Sequence, residues 1–144
     1  MEVTMSKLDL FKEHLDEREY RYREVTDKEG VTRGFIAQHE IKDNQLLTVV
    51  FEFPEEENFV DVRIFDIAKI EDSSKRENLL ELINELNLKY RFGKFFVRDT
   101  GDVVMQWSLF IKDHFDPAFL LDMTFILVGN VGEEYPKFMK LQWT

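Results

Sequence analysis

Catalysis needs side chains that hold protons, metals or nucleophiles at a workable spacing, and this chain offers few. Its histidines are His14, His39 and His114, and no two stand at the spacing of a helical zinc pair. There is no cysteine, so disulfides, thiol nucleophiles and Cys-ligated zinc are excluded. No glycine-rich phosphate loop and no nucleophile elbow occurs. With 29 acidic residues, carboxylate pairs arise by number alone, and sequence does not show which would face a cleft. The run Asp99-Thr100-Gly101-Asp102 resembles a fragment of a calcium loop but lacks the terminal glutamate, so it reads as a hairpin turn. His39 shares strand parity with Phe35, Ala37 and Ile41, which marks a hydrogen-bonded core histidine rather than a ligand. His14 and His114 read as surface groups. The reading is of a non-enzymatic chain with no catalytic residue, no cofactor and no metal.

Binding chemistry has one local signal. Between Lys89 and Arg98 stand Lys89, Arg91, Lys94 and Arg98, interleaved with Tyr90, Phe92, Phe95 and Phe96, and no acid. Cations alternating with aromatic rings suit an anionic small ligand or a single nucleic-acid strand, with Arg91, Lys94 and Arg98 as the candidate contacts. The same pattern arises where a strand leaves a helix with its rings inside and its cations in water. The net charge of −10 repels polyanions and anionic membranes, which argues against nucleic acid and against a membrane surface. A protein partner agrees better with it.

The elements that would position such groups follow from periodicity. A length of 144 residues and 14 phenylalanines indicate one domain, residues 1–144, with a well-filled core. The first residues lack an apolar signal core, and no stretch is long and apolar enough to span a bilayer, so a cytoplasmic location is expected. Ser6 caps a first helix, with Asp9 completing the box and Leu8, Phe11 and Leu15 forming its stripe. Four strands follow at Tyr20–Val25, Arg33–Ile41, Leu46–Phe53 and Phe59–Ile70, joined by turns at Asp27–Gly30, Lys42–Asn44 and Pro54–Glu57. The apolar parity of the fourth shifts near Phe65, which predicts a bulge. Ser74 and Glu77 form the capping box of a second helix, whose stripe is Leu79, Leu82, Ile83, Leu86 and Tyr90. A hairpin of Phe95–Arg98 and Val103–Leu109 comes next. Asp116 and Pro117 start a third helix that runs to about Glu134, where Pro136 breaks or kinks it before a short amphipathic tail.

The third helix is the richest segment. At 100° per residue, Leu121, Phe125, Val128, Gly129 and Gly132 cluster on one side, adjoined by Leu120, Leu127 and Val131. Asp122, Asn130 and Glu133 mark the opposite side, yet Phe119, Met123 and Ile126 fall among them. A helix lying on one sheet needs no second apolar stripe. Either another element covers it, or Phe119, Met123 and Ile126 form a dimer or partner interface.

The second half of the chain also resembles a known family. Glu77-Asn78-Leu79-Leu80-Glu81-Leu82-Ile83-Asn84-Glu85-Leu86-Asn87, then Tyr90-Arg91-Phe92-Gly93-Lys94-Phe95, is similar to the YbjN family, also labelled a bacterial sensory transduction regulator. Val103-Val104-Met105-Gln106-Trp107-Ser108-Leu109, Asp116-Pro117 and Glu134-Tyr135-Pro136-Lys137-Phe138-Met139 continue the likeness. It covers roughly residues 73–141; the first 72 match by element order more than by identity. The resemblance implies an α+β fold like that of type III secretion chaperones: an antiparallel sheet flanked by helices, order α-ββββ-α-ββ-α. It also implies a homodimer that binds protein segments, with no agreed enzymatic activity. The expected function is therefore a non-enzymatic protein-interaction or chaperone-like module, with binding of a small anionic ligand or nucleic acid as the alternative.

Overall fold

The structure, a computed structural model, describes residues 5–144. The order of elements is α1 (Lys7–Glu17), β1 (Arg23–Thr26), β2 (Thr32–Glu40), β3 (Leu46–Glu52), β4 (Phe59–Lys69), α2 (Arg76–Lys89), β5 (Lys94–Val97), β6 (Asp102–Phe110) and α3 (Pro117–Gln142). All six strands join one antiparallel sheet in the order β1-β2-β3-β4-β6-β5. The antiparallel α+β architecture expected from the sequence, in the order α-ββββ-α-ββ-α, is the one the chain has.

Caps and turns explain most boundaries. The Ser6 hydroxyl accepts the Asp9 N–H at 3.1 Å, and Glu57 reaches across to accept the backbone N–H groups of Lys7 and Leu8. At the far end Tyr20 N–H returns to Leu15 C=O and Glu19 N–H to Asp16 C=O, with Glu19 left-handed at φ 55°. This closing turn uses the residues expected to open the first strand, so β1 begins at Arg23 rather than Tyr20. The capping box expected at Ser74 is replaced by a cap two residues earlier. The Asp72 carboxylate takes both the Ser74 N–H and its hydroxyl, which sets a 3-10 turn before α2. The bulge in β4 is present: Asp66 is left-handed at φ 68°, and the register to β6 shifts between Ile64 and Ala68. At the β5–β6 turn Gly101 has φ 91° and accepts the Ile70 N–H at 2.9 Å. A β-carbon there would lie 2.6 Å from Ile70 O, so glycine is needed both for the conformation and for the close approach.

Pro136 does not break α3. The helix runs through it to Gln142 and packs the expected tail as its last turns, with Phe138 fully buried against Phe95. The core lies between the helices and one face of the sheet. Phe11 of α1 packs edge-on against Phe35 and Phe51 and beside Phe53, and α3 meets the same parity through Phe119 on Trp107.

A candidate protein-interaction surface

The buried face of α3 keeps most of the one the helical wheel suggests, but it is turned toward Met123 and Thr124 and away from Phe125 and Gly129. Leu120, Leu121, Met123, Thr124, Leu127, Val128, Val131 and Phe138 are buried, whereas Phe125 and Gly129, expected inside, are exposed. Of the proposed interface residues, Phe119 and Ile126 stand in solvent at 45% and 53% exposure, and Met123 is in the core at 7%. Met123 is thus corrected from interface candidate to core residue. Met123 stands next to Thr124, whose hydroxyl bonds back to the Leu120 carbonyl, so a polar residue lies inside where the wheel expected only apolar ones. A buried Glu134 pulls the same side inward further along. It binds Lys89 and Lys137, each at 3.2 Å. Burial raises its pKa, but the two ammonium groups outweigh this and hold it below the ordinary carboxylate value.

The cations of the Lys89–Arg98 segment do not converge. Lys89 is held by Glu134, and Lys94 donates to the carbonyls of Asn87 and Tyr90 at 2.7 and 2.6 Å, closing the end of α2. Arg91 and Lys94 line one cavity of about 550 Å³ with Phe92, Phe95, Phe96, Gln106, Trp107 and Ser108. Arg98 is not part of it; its backbone pairs with Asp102 in the hairpin turn. The interleaved rings divide as a strand divides them: Phe95 is buried and Phe96 exposed.

His39 is half-buried, and its Nε2 shares a 2.5 Å hydrogen bond with the Tyr20 hydroxyl, as expected of a satisfied core histidine. Phe125 packs edge-on against both rings. Burial lowers the His39 pKa and raises that of Tyr20. Among the described residues, no group of three or more histidines and carboxylates could hold a metal ion. No helix among them is long and apolar enough to cross a membrane.

Exposed aromatic groups are strung along β6 and its neighbours instead. Phe110 is 58% exposed and meets Phe59 edge-on, with ring centroids 5.3 Å apart. Phe92 and Phe96, both largely exposed, line the cavity beside Trp107, and Phe119 packs on Trp107 from α3. On the sheet face away from the helices, polar groups adjoin these rings. Arg63 binds Glu52, Asp61 and Gln106, and Ser108 bonds to Asp61. Composition alone did not single out this cluster. Phe59 and Phe110 read as ordinary strand residues, and only the register sets them opposite one another at the end of β6, while Phe96 lies opposite Val104 further down the strand.

Comparison with known proteins agrees with this architecture. A chain in the crystal structure of the ExsC–ExsE complex superposes with a TM-score of 0.57 at 11% identity, covering 96% of this chain and 97% of that one. No curated protein matches the sequence. The model of the YbjN family, described as "Putative bacterial sensory transduction regulator", matches residues 7–124. With most of its length accounted for by that model, the chain belongs to the YbjN family.

Proposed function

We propose that this chain is a non-enzymatic, chaperone-like protein-interaction module that buries an apolar segment of a protein partner at the outer end of β6. The observation that carries this reading is the set of exposed rings along β6, with Phe59 and Phe110 paired at its end beside the polar network of Arg63, Asp61 and Ser108, Phe92 and Phe96 lining the cavity, and Phe119 on the helix side of Trp107. Exposed aromatic area with a polar rim is the composition of a contact surface. Membership of a family described as a regulator, and a fold shared with a chain solved in a complex, support it. The spread of the four cations, two of them already engaged, makes anionic-ligand or nucleic-acid binding the weaker reading. The test is a pull-down from native cells with mass spectrometry, run with the wild type and with Phe110→Asp/Phe119→Asp. The wild type retains a defined protein that the folded variant loses; equal recovery by both overturns the reading.

The outward side of α3 supports a second contact, between two copies of the chain. Phe119, Phe125 and Ile126 stay exposed along it, and Arg18, just past the end of α1, reaches Asp122 between them. The protein then works as a homodimer. Light scattering of the wild type against Ile126→Asp, with circular dichroism to confirm folding, gives a dimer and a monomer; a monomeric wild type removes this part of the reading.

A further inference from the structure

The backbone of β6 is paired along its whole length on one side only. Ile111 N–H donates to Asn58 C=O at 2.8 Å, which fixes the phase of the β4–β6 ladder. In an antiparallel pair, residues directly opposite alternate between exchanging both hydrogen bonds and exchanging none. Counting back through the register, Leu109 opposite Val60 and Trp107 opposite Val62 turn their N–H and C=O groups toward β4. Phe110, Ser108, Gln106 and Val104 therefore turn theirs to the other side. There, β5 meets Gln106 with Lys94 and Val104 with Phe96, and then stops, because β5 starts at Lys94. The phase is confirmed at Phe95, whose N–H and C=O point away from β6 and are both bound by the Asn87 side chain, at 2.7 and 3.0 Å. Ser108 and Phe110 are left facing a place in the sheet that no strand occupies, and among the described residues no hydrogen bond is made to their N–H or C=O from that side. The cavity lined by Arg91, Phe92, Lys94, Phe96, Trp107 and Ser108 is this place.

We infer that the gap beyond the start of β5 receives a short extended segment of the partner protein, apolar at alternate positions and carrying an acidic residue, as an added strand on β6. Two of its residues, opposite Ser108 and Phe110, make the ladder bonds that β5 does not supply. Charge selects the acid. The gap's lining holds no carboxylate, and of its two cations Lys94 is bound to the Asn87 and Tyr90 carbonyls, which leaves Arg91, with no ion pair among the described residues, to meet the acid, in a chain whose net charge is −10. Phe110 and Phe96 on one side and Trp107 on the other give apolar contacts to alternate side chains. A second copy of this chain does not satisfy the same edge. Two-fold pairing of Ser108 with Phe110 of the copy puts Gln106 opposite Lys112 of the copy, where Lys94 already stands. The other edge of the sheet, β1, carries Arg23 and Glu24, with Glu24 paired to Lys12 at 2.8 Å, which are the charges that discourage strand addition.

The inference rests on the protein-interaction reading and locates it. The probes are capped, fluorescein-labelled hexapeptides alternating Val or Phe with Thr and ending in Asp, with a Lys-ended set as control. The acidic set binds more tightly, and amide hydrogen exchange slows at Ser108 and Phe110 when it is bound. Ser108→Pro removes the outward N–H without touching the β4 ladder, and lowers affinity about tenfold or more. Ser108→Ala keeps the N–H and keeps the affinity, which separates edge pairing from loss of the Asp61 bond. Equal binding of both peptide sets, equal binding by Ser108→Pro, or protection elsewhere overturns the inference. If native partners are still captured by Ser108→Pro but lost in Phe110→Asp/Phe119→Asp, the gap is dismissed while the interaction module stands.

Discussion

Phe95 and Ser108 lie on neighbouring strands, and each turns a backbone N–H and C=O away from the strand that pairs it. At Phe95 the chain supplies the missing neighbour itself: the Asn87 carboxamide, held on α2, donates to the carbonyl and accepts from the N–H as an adjoining strand would. At Ser108 no side chain does so among the described residues, and the rings around it stay in solvent. A sheet edge is a risk, since unpaired groups invite other chains, and one asparagine is enough to close it. The difference teaches that edge closure is decided residue by residue, and that a stretch left open beside a closed one is a place for contact. The phenylalanines tell the same story on a larger scale. Phe11 is fully buried among Phe35, Phe51, Phe53 and Phe115, whereas Phe59 and Phe110 pair with each other at the surface.

The contrast between the buried and exposed rings breaks first at Phe11. Phe11→Ala removes the ring that four others touch and costs about 3–5 kcal/mol, a large share of the stability of a domain this size. Urea denaturation reads it as a lowered midpoint at unchanged slope, while Phe110→Ala moves the midpoint little. Equal effects at the two positions would mean that the exposed rings are structural.

Asn87→Ala is the next largest. It leaves the Phe95 N–H and C=O without partners at a cost of about 1–3 kcal/mol. Hydrogen exchange quickens at the Phe95 amide, and light scattering shows new association through the opened edge. If the amide stays as protected as in the wild type, the sealing role is wrong.

The smallest effect is one of pH and sharpens the reading of the half-buried Tyr20–His39 pair. Burial holds the folded His39 pKa below its ordinary value of 6.5, so in the range just under 6.5 the unfolded chain binds a proton that the folded one resists. Stability therefore rises with pH across that range and falls as the solution is acidified. Urea midpoints at pH 7.5 and 5.5 measure the slope, and His39→Gln flattens it. An unchanged slope in the variant would assign it to other groups.

Much of this was written locally. The Ser6 cap, the Asp116-Pro117 start, the Gly101 turn and the change of parity near Phe65 each rest on a few adjacent residues, and the structure keeps all of them. The readings that moved depend on remote partners. Met123 read as part of a stripe that either another element or a partner covers; the structure buries it in the chain's own core, and Glu134 further along α3 is met inside by Lys89 from α2. The candidate cations Arg91, Lys94 and Arg98 read as one group by spacing, but a helix end took Lys94 and a turn took Arg98 away. The exposed rings at β6 had no signal of their own, since a phenylalanine in a strand reads alike on either face.

By itself, the amino-acid order determined the number and sequence of elements, most of their caps and turns, and an antiparallel α+β arrangement, because periodicity and turn chemistry act over a few residues. Only the tertiary structure decided that β6 enters the sheet between β4 and β5, that Met123 and Thr124 rather than Phe125 turn inward on α3, and which stretch of strand stays unpaired. Those outcomes depend on pairing between segments 40 or more residues apart, such as Phe59 with Phe110, and on which surfaces meet once the chain is compact. No local pattern carries that information, because the same alternating strand fits an edge or a centre equally well until its neighbours are in place.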